Sequence, residues 1–363
     1  MVEWVDERYG AFDFETWGKL PEYALQPWRY AKQEFWPTSL VWIDHEHTAY
    51  GGLHPDRTTV LRMLTWAIEN KITLCGWNLV FDIGVCAAMG FEKEVLKVRW
   101  LDGMLLWRHL EVEPEYDETG PSKRKFGLKS CVEQFLPDQA GYNEDVNFGA
   151  TTPEELEKLH RYNIRDNSFS LILCKLLWSL LNERQQSTAL IEAISLPMVA
   201  IANTRGMLVD TIACGALGAK LDAVAAKNLK ELEWFGVTET IVRSPAKLSA
   251  LMFDNWKLPV QKENKSAKTG KTTRSTDKNT LHELAIFDPR ARQLREYREA
   301  LVRRKKFVQA PLDSVAYNGD GRAHPLAHVF GTYSSRMTYS SKQKVRVEKK
   351  GKIIVDEVSD VDE

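Results

Sequence analysis

Strand-like and helix-like runs alternate along the first half of the chain, and then the strand signal fades. GAFDFET, SLVWIDHE and ITLCGWN have the apolar and β-branched make-up of short strands, with turn residues between them. DRTTVLRMLTWAIEN repeats apolar residues at helical spacing, and VFDIGVCAAMG reads as another helix. Such alternation points to an α/β layer, a sheet covered by helices. Beyond residue 186 the segments read as helices. QQSTALIEAISLPMVAIANTRG ends at Gly206, a helix stop, and TIACGALGAKLDAVAAKNLKELEWFG is rich in Ala and Leu. SPAKLSALMFDNW and DPRARQLREYREALVRRKKF open on Ser–Pro and Asp–Pro caps. We expect an α/β domain over 1–185, a mainly helical region over 186–340, and a loosely attached charged tail over 341–363. At 363 residues the chain is long enough for two cores.

Composition narrows the class. The formal net charge of −1 gives no global basic field, so any nucleic-acid binding must come from local patches. The five cysteines, Cys75, Cys86, Cys131, Cys174 and Cys214, contain no CxxC pair. They fit neither a zinc site nor a disulfide framework and suit a reducing cytosol. MVEWVDERYG carries acids where a signal peptide needs a basic and then an apolar stretch. No uninterrupted apolar run approaches the ~20 residues of a membrane span. The expected location is cytoplasmic, with no membrane partner.

The clearest helix start is TTPEELEKLHRYNIRDNSFSLILCKLLWSLL. Thr152 is the N-cap, Pro153 fits the first turn, and Glu155 can close a capping box, with the helix running to about Asn182.

Acidic residues recur at informative places. In GAFDFETW, strand alternation puts Phe12 and Phe14 on one face and Asp13 and Glu15 on the other. That pair is either the solvated face of an edge strand or part of a site for a hard divalent cation. In GWNLVFDIGV, Asn78 and Asp82 share a face if a helix begins at Asn78. In RYNIRDN, Tyr162 and Asp166 are four apart inside the capped helix. Asp102, in RWLDGMLLW, follows a short apolar run. Singly, these read as caps and surface hydrogen bonds.

Taken in order, Asp-x-Glu, Asn-x-x-Phe-Asp and Tyr-x-x-x-Asp resemble the three motifs of the DEDDy 3′→5′ exonucleases, specifically the proofreading domain of family A DNA polymerases. The resemblance spans roughly residues 8–183 and implies an RNase H-like fold. It makes Asp13, Glu15, Asp82 and Asp166 the metal-binding carboxylates, with Asp13 bridging two ions and Tyr162 positioning the attacking water. The histidine subtype wants His five residues before the last Asp, where Arg161 stands, with His160 one place off; the tyrosine subtype is favoured. The implied cofactor is Mg²⁺, two ions, with Mn²⁺ as a substitute. Two such ions about 3.5–4 Å apart bind the scissile phosphate, activate a water and stabilise the leaving oxygen. Asn78 and Phe81 are the implied contacts to the DNA end, and Trp17, Trp77 and Phe81 can stack bases or serve as core.

The resemblance continues into the helical half. SLPMVAIANTRGMLVD and SPAKLSALMFDNWKLP resemble thumb segments of family A polymerases. VQKENKSAKTGKTTRSTDKNT, a flexible loop by composition, lies where a thumb tip would meet duplex backbone. Its Lys262, Lys265, Lys268, Lys271 and Arg274 form either a sequence-independent phosphate clamp or a solvated linker. GRAHPLAHVFGTYSSRMTYSS resembles the entry to the palm, with Arg336 at the family's arginine. Palm and fingers do not follow, so polymerisation is not expected from this chain alone. The implied partners are a DNA 3′ end or primer–template and a separate polypeptide supplying palm and fingers, unless the frame is truncated. Such a protein would come from a bacterium or a phage-infected cell. The alternatives are an RNA-trimming exonuclease of the same fold and a non-catalytic DNA-binding or assembly subunit.

Overall fold

The structure is a computed structural model that describes residues 8–111, 116–117, 120–121, 126–141, 146–265, 270, 272–329, 336–340, 342–349 and 352–359. The chain forms two compact units, Met1–Met207 with His324–Glu363, and Leu208–Ala323.

The first unit is built on a five-stranded mixed sheet. Strands β1 (Tyr9–Gly18), β2 (Phe35–Ile43), β3 (Ala49–Leu53), β4 (Thr73–Gly76) and β5 (Arg99–Asp102) lie in the order β3-β2-β1-β4-β5. β1 runs antiparallel to β2, and β2 to β3. The turn joining β2 to β3 is tied by Asp44, whose carboxylate accepts hydrogen bonds from the Glu46 and Thr48 amides, both at 2.9 Å. β4 is parallel to β1, and β5 to β4. Parallel neighbours need crossovers, here α1 (Arg57–Glu69) before β4, and α2 (Val80–Ala88) with α3 (Glu92–Val95) before β5.

Strand alternation separates two cores across the sheet. Phe12 and Phe14 join Leu40, Trp42, Leu74 and Trp100 in a cluster closed by Met63 and Leu64 of α1 and Ile83 and Val85 of α2. Ala11, Val41, Ile43 and Cys75 face the opposite cluster. That cluster contains Leu106 of α4 (Gly103–Leu110), Val132 of α5 (Leu128–Phe135), and Leu171 and Leu177 of α6 (Pro153–Leu180). Asp13 stands opposite Val41 in the ladder and Glu15 opposite Ser39, so both acids share the α6 face, as alternation requires. Helix α6 starts at Thr152 with the expected capping box: the Thr152 side chain accepts from the Glu155 amide, and Glu155 reaches back to the Thr152 amide.

Helix α7 (Glu183–Arg205) shifts the expected boundary. The sequence places a division at 185/186, yet Ala193, Leu196, Val199 and Ala200 of this helix are buried in the Phe12 cluster, and the first unit runs to Met207. By length and composition α7 could cross a membrane; its buried face instead packs into this core. The chain later returns: His324 stacks on Trp28 with ring centroids 4.6 Å apart, and the Asn203 side chain bonds both the amide and the carbonyl of Ala327. The charged tail, expected to be only loosely attached, pairs Lys342–Lys349 antiparallel with Lys352–Ser359.

In the second unit, α8 (Thr211–Glu233), α9 (Glu239–Val242), α10 (Pro245–Ser249), α11 (Lys278–Leu284), α12 (Pro289–Arg304) and α13 (Ala310–Asn318) surround a core that includes Leu232, Met252, Leu284, Leu294 and Tyr297. Asp210, Thr238, Ser244, Asp277 and Asp288 cap the first five of these helices through their side chains. The lysine-rich segment carries a short hairpin, Glu263–Lys265 against Thr272–Arg274, rather than being wholly irregular.

Candidate active site at the carboxyl end of the central strand

β1 outlasts its parallel neighbour. Its ladder with β4 covers Tyr9 to Ala11, so residues from Phe12 onward extend past that partner. Clefts in sheets of this kind lie outside the carboxyl ends of the strands. Gly76 closes β4 where a Cβ would stand 2.3 Å from Leu79 Cδ2 and 3.1 Å from the Phe12 carbonyl, so only glycine fits there without displacement. The chain then turns through Asn78, whose φ of 61° is left-handed, before α2 begins at Val80. This corrects one expectation: Asn78 lies before the helix, so it does not share a helical face with Asp82. The left-handed turn, tolerated by Asn better than by most residues, is what re-aims the chain.

Asp82, in the first turn of α2, reaches back to the extended part of β1. Its Oδ1 accepts the Phe14 amide at 3.1 Å, a contact across 68 residues, and puts a carboxyl beside the backbone between Asp13 and Glu15. Asp82 and Glu15 are both buried, at 3% and 6% exposure. Burial, and then the neighbouring charge of Glu15, hold the Asp82 carboxyl well above the usual carboxylate range against the favourable Phe14 hydrogen bond. Asp102 contributes to the same repulsion from the end of β5. Its own carboxyl is also pushed up by burial, although it accepts the amides of Asn78, Leu79 and Met104 at 3.1, 2.8 and 2.9 Å. Those bonds pin the turn after β4 and cap α4, so Asp102 is a structural acid.

From the other face, α6 brings the third motif. Asn163 Nδ2 donates to the Asp13 carbonyl and to Ser39 Oγ, both at 3.3 Å, the first contact spanning 150 residues. Asn167 Nδ2 donates to Asn163 Oδ1 at 2.8 Å. Tyr162 and Asp166 precede these two asparagines by one residue each, so one stretch of helix carries both pairs to the end of β1. These two asparagines of the candidate site were not singled out from the sequence; their signal was the i, i+4 repeat inside RYNIRDN. His160 bonds Ser39 through Nδ1 at 2.9 Å, and Arg161 is exposed and ion-paired with Glu157. The Tyr162 ring is buried, with Phe148 T-shaped against it and Lys129 Nζ 5.0 Å from its centroid.

Beside this end of the sheet lies a partly open groove of about 720 Å³. Asn78, Phe81, Trp28, Phe126 and Arg108 line it. Trp77 also lines it, half-buried and donating from Nε1 to the Phe126 carbonyl at 2.8 Å.

As to a metal, the donor chemistry fits a hard cation: oxygen ligands only, and two buried acids, Glu15 and Asp82, whose mutual repulsion a divalent ion would offset. Among the described residues, however, no three His, Cys, Asp or Glu stand together closely enough to hold an ion. The structure thus brings Glu15 and Asp82 together and carries Asp13 and Asp166 to the same strand end without closing a ligand shell.

The expected cation clamp in the second unit is thinner than its sequence. Arg274 forms a two-point ion pair with Asp254 at 2.6 and 2.8 Å, and Lys262 pairs with Asp277 at 3.2 Å. Lys265 is exposed, whereas Lys268 and Lys271 lie outside the described residues. Arg336 is exposed in the first unit.

No protein-family model matches the chain, and no curated protein matches it. Among solved structures it resembles the polymerase domain of Pol1 from M. smegmatis, determined in complex with DNA primer-template and dNTP. The TM-score is 0.62 at 16% identity, over 92% of this chain and 51% of that one. The likeness is one of fold, and the chain spans about half the length of that neighbour.

Proposed function

We propose that the first unit is a metal-dependent 3′→5′ exonuclease acting on DNA 3′ ends, within a protein related to family A DNA polymerases. The observation that carries this reading is the convergence of three sequence motifs on one strand end. Asp82 bonds the backbone between Asp13 and Glu15, and Asn163, next to Tyr162, bonds the Asp13 carbonyl. The strand order β3-β2-β1-β4-β5 and the likeness to a DNA-bound polymerase domain support it.

In this mechanism Asp13, Glu15, Asp82 and Asp166 would hold Mg²⁺. The bound ions would supply positive charge to the phosphodiester and a nucleophilic water at neutral pH. The chain's own residues do the rest. Phe12 and Phe14, buried on the far face, fix β1 so that its acids hold their places. The Phe14 amide orients the Asp82 carboxyl. Tyr162 places its hydroxyl to align the attacking water; a phenol with an unperturbed pKa near 10 serves better as an orienting group than as a base. The groove of Trp28, Phe81 and Phe126 offers aromatic faces on which unpaired bases can stack without regard to sequence. The second unit is read as thumb-like, with Lys265, Lys268 and Lys271 meeting phosphates.

The test is incubation of the purified chain with Mg²⁺ and a 5′-labelled primer–template bearing a mismatched 3′ end, with and without dNTPs. Shortening in both conditions without extension, lost in Asp13→Ala, supports the reading; identical behaviour of the two proteins rejects it. A second reading, a DNA-binding or assembly subunit without catalysis, is favoured by the likeness to a domain solved with DNA primer-template. It expects DNA binding by both proteins and hydrolysis by neither.

A further inference from the structure

Tyr162 is held from two directions by residues that the three motifs do not contain. Phe148 meets its ring in a T-shaped contact, with centroids 6.0 Å apart and planes at 87°. Lys129, the second residue of α5, places its ammonium 5.0 Å from the ring centroid. A cation at that distance from a phenol face is attracted by the ring's quadrupole, the more so where water is partly excluded. Lys129 is half-buried and the Tyr162 ring is buried. A buried phenol with a fixed ring can point its hydroxyl in one direction, whereas a ring held on one side only can tilt.

We infer that Lys129 is a positioning residue of the exonuclease site, acting through Tyr162. This rests on the exonuclease reading above. Lys129 restrains the ring, and the ring sets the line along which the hydroxyl directs the attacking water. The chemical step depends on that alignment, because misplacing a group by about 1 Å can cost as much as 100-fold. Binding of the DNA end depends on it much less. Lys129 therefore belongs to kcat rather than to KM.

The experiment compares wild type, Lys129→Met, Lys129→Arg, Tyr162→Phe and the Lys129→Met/Tyr162→Phe double variant on a labelled single-stranded DNA in Mg²⁺, with Asp13→Ala as the blank. Methionine keeps the length of the side chain and removes the charge. The expected result is a fall in kcat of about tenfold for Lys129→Met, with KM changed less than about twofold. Arginine, which also stands over aromatic rings, should restore most of the rate. In the Tyr162→Phe background the methionine change should do nothing further, since the hydroxyl it serves is gone. A melting midpoint close to wild type shows that the variants fold.

Three results overturn the inference. Unchanged kcat in Lys129→Met means that the cation does not serve the site. A raised KM with a lower salt dependence of binding means that Lys129 grips a phosphate instead. Additive losses in the double variant mean that it acts independently of Tyr162. The two failures are separable. Wild type indistinguishable from Asp13→Ala rejects the exonuclease reading and this role with it, whereas an active wild type with an equally active Lys129→Met rejects only this role.

Discussion

In the first unit Asp82 is buried beside the carboxyls of Glu15 and Asp102, whereas in the second Asp254, Asp277 and Asp288 each face a cation. Burial raises the carboxyls of Asp82 and Asp102. Hydrogen bonds from Arg274 lower Asp254 and those from Arg290 lower Asp288, while the Thr280 amide and then Lys262 lower Asp277. The second arrangement stabilises folding and is what a chain does with acids that have only a structural task. The first opposes folding, because like charges are gathered out of water. Strongly perturbed carboxyls in a crevice are candidates for a functional site. Asp102 shows how to tell the cases apart: three backbone amides account for it, whereas Asp82 has one amide and faces Glu15.

Substitutions sharpen this contrast, beginning with the largest effect. Asp13→Ala should lower nuclease turnover by roughly 10³-fold or more, about 4 kcal/mol in the barrier, with little change in the melting midpoint; a stability loss matching the activity loss would make Asp13 structural instead. Asp102→Ala should do the reverse in chemical denaturation. It strands three amides and should cost about 3 kcal/mol of stability; a change below about 0.5 kcal/mol would show that the turn after β4 stands without it.

Asp82→Asn should abolish nuclease activity and yet stabilise the chelator-treated protein at neutral pH. The sign follows from the raised carboxyl. The stability that Asp82 contributes is fully present below its ordinary value near 3.8 and is lost as the pH rises through the higher folded value. Asparagine keeps an acceptor for the Phe14 amide and never ionises. The gain over wild type should therefore grow with pH in urea melts, and a flat difference would contradict the burial argument.

Asp277→Ala in the second unit should show the opposite slope at a smaller size. Its lowered carboxyl contributes stability above the ordinary carboxylate range, lost as the pH falls towards its folded value. Because the group is over a third exposed, solvent discounts its ion pair with Lys262. A helix N-cap of this kind is worth about 1 kcal/mol at pH 7, and acidification should shrink the difference. Equal destabilisation at pH 7 and at pH 2.5 would mean that packing, not charge, is at stake.

Local chemistry was the legible part of this chain. Thr152, Ser244 and Asp288 cap the helices that their sequences announce, and Gly206 ends α7 with a φ of 65°. The Phe12/Phe14 alternation put Asp13 and Glu15 on one face before any fold was known, because the side-chain period of a strand is fixed. What one sequence could not carry were the long-range terms. The left-handed Asn78 follows from Asp102, 24 residues later, bonding its amide. The burial of α7 depends on which core receives its Leu196 and Ala200. Arg274 looks like a free cation in its lysine-rich stretch, yet Asp254, 20 residues earlier, binds it. The pairing of β3 with β2 was missed because AYGGL carries two glycines and little strand propensity.

The central claim is that acids far apart in sequence are gathered at the end of β1 to hold divalent cations. Titrating Mn²⁺ into wild type, Asp13→Ala and Asp166→Ala, and counting bound ions by electron paramagnetic resonance, addresses it without depending on catalysis. Two ions bound by wild type, with fewer or weaker in each variant, is the expected result. Wild type that binds no Mn²⁺, or binds it with the same stoichiometry and affinity as both variants, would contradict the account.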